Sequence, residues 1–173
     1  LKKWKTGWDE DTYNLNHTEK GYYVLDKLIK DNIELCDILI VKNQTIYFVH
    51  VKDGFNTQMR NLYIQVVLSA KRLWNDLYNN TGSSYLIETL KKYNKKYPTN
   101  KINEKAILEG ILKDEYKIEF VMAYRNYSYS GNTDIEKINL SQSNIAKYSL
   151  VQTVREMRSF RRFGIKVIDI SGI

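Results

Sequence analysis

The chain has 173 residues, with 27 Lys+Arg against 20 Asp+Glu and a formal net charge of +7. An apolar share of 43% and an aromatic share of 13% exclude a disordered chain, and the length suits one domain with a real core. No apolar run approaches the roughly 18 residues that span a bilayer, no signal-peptide pattern opens the chain, and a single cysteine, Cys36, excludes an internal disulfide or a Cys-rich zinc site, so a cytoplasmic protein is expected.

In chain order, residues 9–18 are polar and rich in capping side chains, which suits a short helix. Three β-prone segments follow: Gly21–Ile29, Glu34–Val41 and Thr45–Lys52. The polar breaks at Lys30–Asn32 and Lys42–Gln44 suit hairpins, so an antiparallel meander is expected, with the second and third strands buried on both faces. The period then changes to a helical one over residues 56–79, carried by Leu62, Val66, Leu73 and Leu77. Two further helices are read at Tyr85–Tyr97 and Asn103–Lys113, a strand at Lys117–Tyr124, and a long amphipathic helix at Ser143–Phe163. Gly164 is read as its stop, and Ile165–Ile170 as a last strand. The fold class is α/β (α+β), one layered domain over residues 1–173 with a helical insert at about 80–115.

The chemistry sits on strands that should be apolar. Asp37 interrupts the second segment, and His50 and Lys52 close the third. A buried carboxylate or ammonium is costly unless it is paired or metal-bound. His50 and Lys52 are two residues apart and share a face, and adjacent strands would bring Asp37 to them. An acid on one strand, a ligand on the next and a lysine two residues on can hold Mg²⁺ or Mn²⁺ and place a cation at a scissile phosphate. Imidazole is a poor ligand for Mg²⁺ and suits Mn²⁺ better. An additional carboxylate is available from Glu10, Glu19 or Glu34. Glu34 lies three residues before Asp37 and faces away from it on a regular strand.

This pattern, Cys36-Asp37, twelve residues, then His50-Val51-Lys52, resembles the PD-(D/E)xK nuclease superfamily, with His50 where that superfamily has an acid. The resemblance implies a restriction-endonuclease-like core, helix, three-strand meander, helix and strand, and a divalent metal, Mg²⁺ or Mn²⁺. It also implies an acid near the first helix, here Glu10, and a functional glutamine on the helix after the third strand, here Gln65. A closer resemblance joins Glu10-x-x-Tyr13-Asn14, Glu34-Leu35-Cys36-Asp37, His50-Val51-Lys52, Leu62-Tyr63-Ile64-Gln65 and Ser69-Ala70 to the "sporadically distributed" family of uncharacterised bacterial proteins. In that family a histidine precedes V-K. Its members are longer, which implies that this chain is their C-terminal part, and its scattered occurrence implies mobile or defence-type genes.

Other residues carry weaker signals. Arg155, Arg158 and Arg162, at i, i+3 and i+7, would share a helix face with Arg161 beside it and suit phosphate; a solvated face is the plain alternative. Gln58 and Arg60 fall near a helix start. Lys91 and Lys92 open a run that interleaves lysines with tyrosines, suited to backbone and bases or simply an exposed helix. Tyr124, Tyr127 and Tyr129 divide between core and loop, His17 reads as an exposed turn residue, and Cys36 as an inert thiol.

The reading is therefore a metal-dependent nuclease acting on DNA or RNA. Asp37, His50 and Glu10 would serve as ligands, Lys52 and Gln65 as further site residues, and nucleic acid as the partner, with no membrane role and with homodimerisation left open. The alternatives are a nuclease-fold module that binds nucleic acid or a protein without cutting, and a basic interaction module.

Overall fold

The computed structural model describes residues 1–30, 32–79, 84–127 and 131–171. Helix α1 (Glu10–Leu15) starts where the Asp9 side chain accepts from the Thr12 amide. The strands are β1 (Tyr22–Val24), β2 (Ile29–Lys30), β3 (Ile33–Glu34), β4 (Ile38–Lys42), β5 (Thr45–Lys52), β6 (Lys117–Tyr124) and β7 (Phe163–Asp169). The remaining helices are α2 (Gln58–Trp74), continued by a π-turn over Asn75–Asn79, α3 (Ser84–Lys96), α4 (Glu104–Leu112), α5 (Asp134–Leu140) and α6 (Asn144–Met157).

One five-stranded sheet runs in the order β1-β4-β5-β6-β7, and β2 pairs with β3 separately. The expected meander is present: β1 pairs antiparallel with β4, and β4 with β5. Helices α2 to α4 then return the chain so that β6 lies parallel to β5, and α5 and α6 return it again so that β7 lies parallel to β6. The alternation of β5 sets the two faces. Ile46 and Phe48 join Leu39, Phe120 and Met122 under residues of α2, α3, α4 and α6, while Val49 and Val51 join Ile38, Ile40 and Val121 beneath Trp4 and Tyr13. Burial on both faces explains why β4 and β5 read as near-continuous apolar runs.

Four expectations at the element level are corrected. The segment Gly21–Ile29 is two strands, because the chain turns through Lys27 at φ 63° after Leu25 and Asp26 both donate their amides to the Asp37 carbonyl (2.8 and 3.0 Å). The segment Glu34–Val41 is likewise broken between β3 and β4. The last long helix stops at Met157, since the Phe160 and Phe163 rings pack against Trp74 and draw the chain into β7. Gly164 therefore sits within β7 and is not a helix stop. A Cβ there would fall 2.1 Å from the Glu119 carboxylate on the neighbouring strand. Helix α5 was not anticipated, although Thr133 and Glu136 form a complete capping box that the spacing T-x-x-E spells out.

Candidate metal centre

Asp37 lies in the break just before β4. It is buried, 5% exposed, and its Oδ2 accepts the Val51 amide at 2.6 Å across the β4–β5 pair. The same break removes the strict alternation that would turn Glu34 away. The turn through Lys27 then folds back, with the Lys27 amide donating to Glu34 Oε1, and sets Asp26 alongside. Ligand oxygens of Asp26, Glu34 and Asp37 all come within 4.8 Å of one another. Among the described residues this is the group of three His, Cys, Asp or Glu side chains placed to share an ion. The expected opposite facing of Glu34 and Asp37 is thus corrected by the kink between β3 and β4.

Each carboxyl is pushed toward its neutral form. Burial raises Asp37 well above the ordinary carboxylate range, and the nearby Glu34 charge adds to it; burial also raises Glu34 and Asp26. Lys52 pulls in the other direction on Asp37 and Glu34 without reversing the shift. Beside Asp26 lies the Asn14 amide of α1, 2% exposed, whose Oδ1 is buried with no hydrogen-bond partner among the described residues. Three crowded carboxylates and an orphaned amide oxygen form an all-oxygen set, which suits a hard cation such as Mg²⁺ or Mn²⁺.

The other expected ligands are placed elsewhere. Glu10 receives Lys52 Nζ on Oε2 (2.8 Å) and the Asp53 amide on Oε1 (3.0 Å), so both oxygens are occupied in clamping the end of β5. His50 is fully buried against α2, where its Nε2 lies 2.9 Å from Ser69 Oγ. The Ser69 hydroxyl also reaches the Val66 carbonyl (3.0 Å), and the Leu35 carbonyl is a second polar neighbour of the ring. Burial, helped by the Lys52 charge, pushes the imidazole down to about 3. His50 is thus a neutral tie between β5 and α2, outside the carboxylate group. The expected trio of Asp37, His50 and Glu10 divides into one cluster member, one helix tie and one lysine clamp.

Gln65 lies one turn before Ser69 on α2, and its Oε1 is buried without a partner among the described residues. The arginines do not form one helix face. Arg155 is on α6, Arg158 is the residue that ends it, and Arg162 lies beyond, paired with Asp114 and 5.1 Å from the Tyr78 ring. All three are exposed, as are Gln58, Arg60, Lys91 and Lys92, with Lys92 Nζ donating to the Ile29 carbonyl (2.8 Å). Contrary to expectation, His17 is buried. Its Nε2 accepts from the Lys2 amide (3.2 Å) and its Nδ1–H donates to the Tyr13 carbonyl (3.0 Å). Cys36 is buried and its thiol raised by burial, as an inert thiol should be. Tyr124 is core and Tyr127 surface; Tyr129 lies outside the described residues. Asp26 was not anticipated, and its only signal in the sequence is a carboxylate directly after the apolar Val24-Leu25 pair.

Fold and site together define a mixed-sheet α/β protein with a partly buried acidic cluster at the start of β4 and a clamped lysine at the end of β5. Residues 1–169 match the family of unknown function DUF6119, and the chain belongs to that family. No curated protein and no solved structure matches it. Among the described residues no helix is long and apolar enough to cross a membrane.

Proposed function

We propose that the chain is a metal-dependent nuclease that hydrolyses phosphodiester bonds in DNA or RNA. The observation that carries this is the convergence of Asp26, Glu34 and Asp37 on one point, with a lysine whose charge reaches two of them. Carboxylates held this close repel one another, and a divalent cation removes that repulsion. Bound there by the three acids, with Asn14 Oδ1 at hand, Mg²⁺ or Mn²⁺ would supply Lewis acidity and a water of lowered pKa. The protein's own part is positioning. Val51 N–H fixes the Asp37 carboxylate, and Glu10 aims Lys52, whose ammonium balances charge on a phosphate oxygen. Gln65 and the exposed Arg60, Arg155, Arg158, Arg162, Lys91 and Lys92 offer donors for nucleic acid, and the net charge of +7 favours encounter with it.

A second reading, a nuclease-fold module that binds nucleic acid without cutting, is favoured by one feature: Lys52 is already neutralised by Glu10. Incubation of the protein with labelled single-stranded and duplex DNA and RNA, with Mn²⁺, Mg²⁺ or EDTA, separates them. The proposal expects metal-dependent cleavage that Asp37→Asn and Lys52→Ala reduce at least 100-fold, the scale of losing a transition-state charge contact. Salt-sensitive binding with every substrate intact would favour the second reading.

A further inference from the structure

Past the end of β6 the chain carries an aromatic and cationic stack that the site described above does not use. Arg125 donates its amide to the Lys52 carbonyl (3.0 Å), which fixes it one strand away from the clamped lysine. Its guanidinium pairs with Asp53, the residue after Lys52, at 2.6 Å. The same guanidinium lies 4.7 Å from the Trp4 ring and 3.8 Å from the Tyr127 ring. Trp4 is itself stacked on Tyr13 of α1, at 4.7 Å and 13°. The stack therefore runs Tyr13, Trp4, Arg125, Tyr127.

Its inner end is rigid. Trp4 is 2% exposed, donates its amide to the Ile170 carbonyl (2.7 Å) and its indole N–H to the Trp8 carbonyl (3.0 Å). The backbone at Asn126 is held by Ser171, whose Oγ accepts its amide at 2.7 Å. The outer end is open, with Tyr127 57% exposed. Held over a cation by its inward face, this large ring lacks, among the described residues, the cover that an ordinary core aromatic finds.

We propose that Tyr127 is a stacking platform for an unpaired base of a single-stranded nucleic acid, beside the phosphate that Lys52 faces. This rests on the nuclease reading for the location of that phosphate, and it narrows the substrate class. In a duplex both faces of each base are covered by its neighbours, so a ring platform engages bases that are splayed out or unpaired. The arginine beneath cannot shift freely, because Asp53 and the Lys52 carbonyl hold it; the platform is preorganised and its distance from the lysine is fixed.

The test measures binding without catalysis. Fluorescence anisotropy in EDTA is read for fluorescein-labelled oligothymidylate, oligouridylate, an abasic oligodeoxynucleotide and a duplex of equal length. Wild-type protein should prefer the single strands to the duplex and to the abasic strand. Tyr127→Ala should weaken single-strand binding about 5- to 100-fold, the range expected for losing one stacked base, and leave duplex binding unchanged. Tyr127→Trp should restore it, and an unchanged melting temperature of Tyr127→Ala would show that the fold is intact. The DNA and RNA arms name the sugar. Equal binding of the single strands by wild type and Tyr127→Ala, or no single-strand binding by wild type, overturns the proposal. Tyr127-dependent binding by a protein that cleaves nothing would sink the nuclease reading and leave the platform standing. Metal-dependent cleavage with Tyr127-independent binding would do the reverse.

Discussion

At the residue scale, two kinds of buried titratable group pull stability in opposite directions with pH. His50 is depressed to about 3 from an ordinary 6.5, and His17 is also depressed by burial. The unfolded chain therefore binds protons that the folded chain refuses, so this contribution is complete above pH 6.5 and is lost as pH falls. At about 1.36 kcal/mol per unit, His50 alone accounts for up to about 5 kcal/mol of acid destabilisation. Urea denaturation at pH 7 and pH 5 should show wild type losing more stability than His50→Gln; equal losses would mean that the imidazole is not held neutral. Asp37 has the opposite sign. Its folded pKa lies above the unfolded one, so its ionisation costs stability as pH rises through that interval. In metal-free buffer at pH 7, Asp37→Asn should be more stable than wild type by on the order of 1–3 kcal/mol, the scale of a poorly compensated buried polar group. With Mn²⁺ the melting temperature of wild type should rise and that of Asp37→Asn should not. Asp37 and Lys52 were legible in the sequence because charge stands out in an apolar run. Asp26 was not, because it is brought to Asp37 by a turn whose geometry leaves little trace in hydropathy.

At the element scale, the kinks matter more than the strands. β4 to β6 were legible because strands buried on both faces have long apolar runs, and β6 is bounded as its residues suggest. The breaks between β1 and β2 and between β3 and β4 are set by amide bonds to the Asp37 carbonyl, which are long-range and invisible to periodicity. They are what gather the carboxylates. Gly21, just before β1, shows how tightly the other end of the β1–β4 pair is built. Its φ is +88°, and a Cβ would lie 2.7 Å from the Val41 carbonyl oxygen. Gly21→Ala should cost roughly 1–3 kcal/mol from left-handed strain and crowding, read as a lowered denaturation midpoint. Between β5 and α2 the His50–Ser69 bond is the internal tie. Ser69→Ala removes the partner of His50 Nε2 in the core and should cost roughly 1–3 kcal/mol without changing metal affinity.

At the scale of the whole molecule, the order β1-β4-β5-β6-β7 puts the break before β4 and the carboxyl ends of β5 and β6 on one edge region. Lys52, Arg125 and the acid cluster are thereby neighbours although they are spread over about half the chain. The element order was legible because the hydrophobic period switches from strand to helix and back. The role of each polar residue was less so, since a histidine two residues before a lysine looks the same as a ligand or as a tie until α2 is docked. Binding to nucleic acid should weaken as salt rises from 50 to 200 mM, because a chain of charge +7 releases counterions on contact. Salt-independent binding would point to apolar contacts instead.

On the proposed function, Asp26, Glu34 and Asp37, and not His50, hold the divalent ion. Mn²⁺ binding followed by electron paramagnetic resonance on wild type, Glu34→Gln and His50→Gln tests it most directly. Glu34→Gln should bind Mn²⁺ at least about tenfold more weakly, while His50→Gln should bind as wild type does. Loss of binding in His50→Gln with Glu34→Gln unaffected would contradict it.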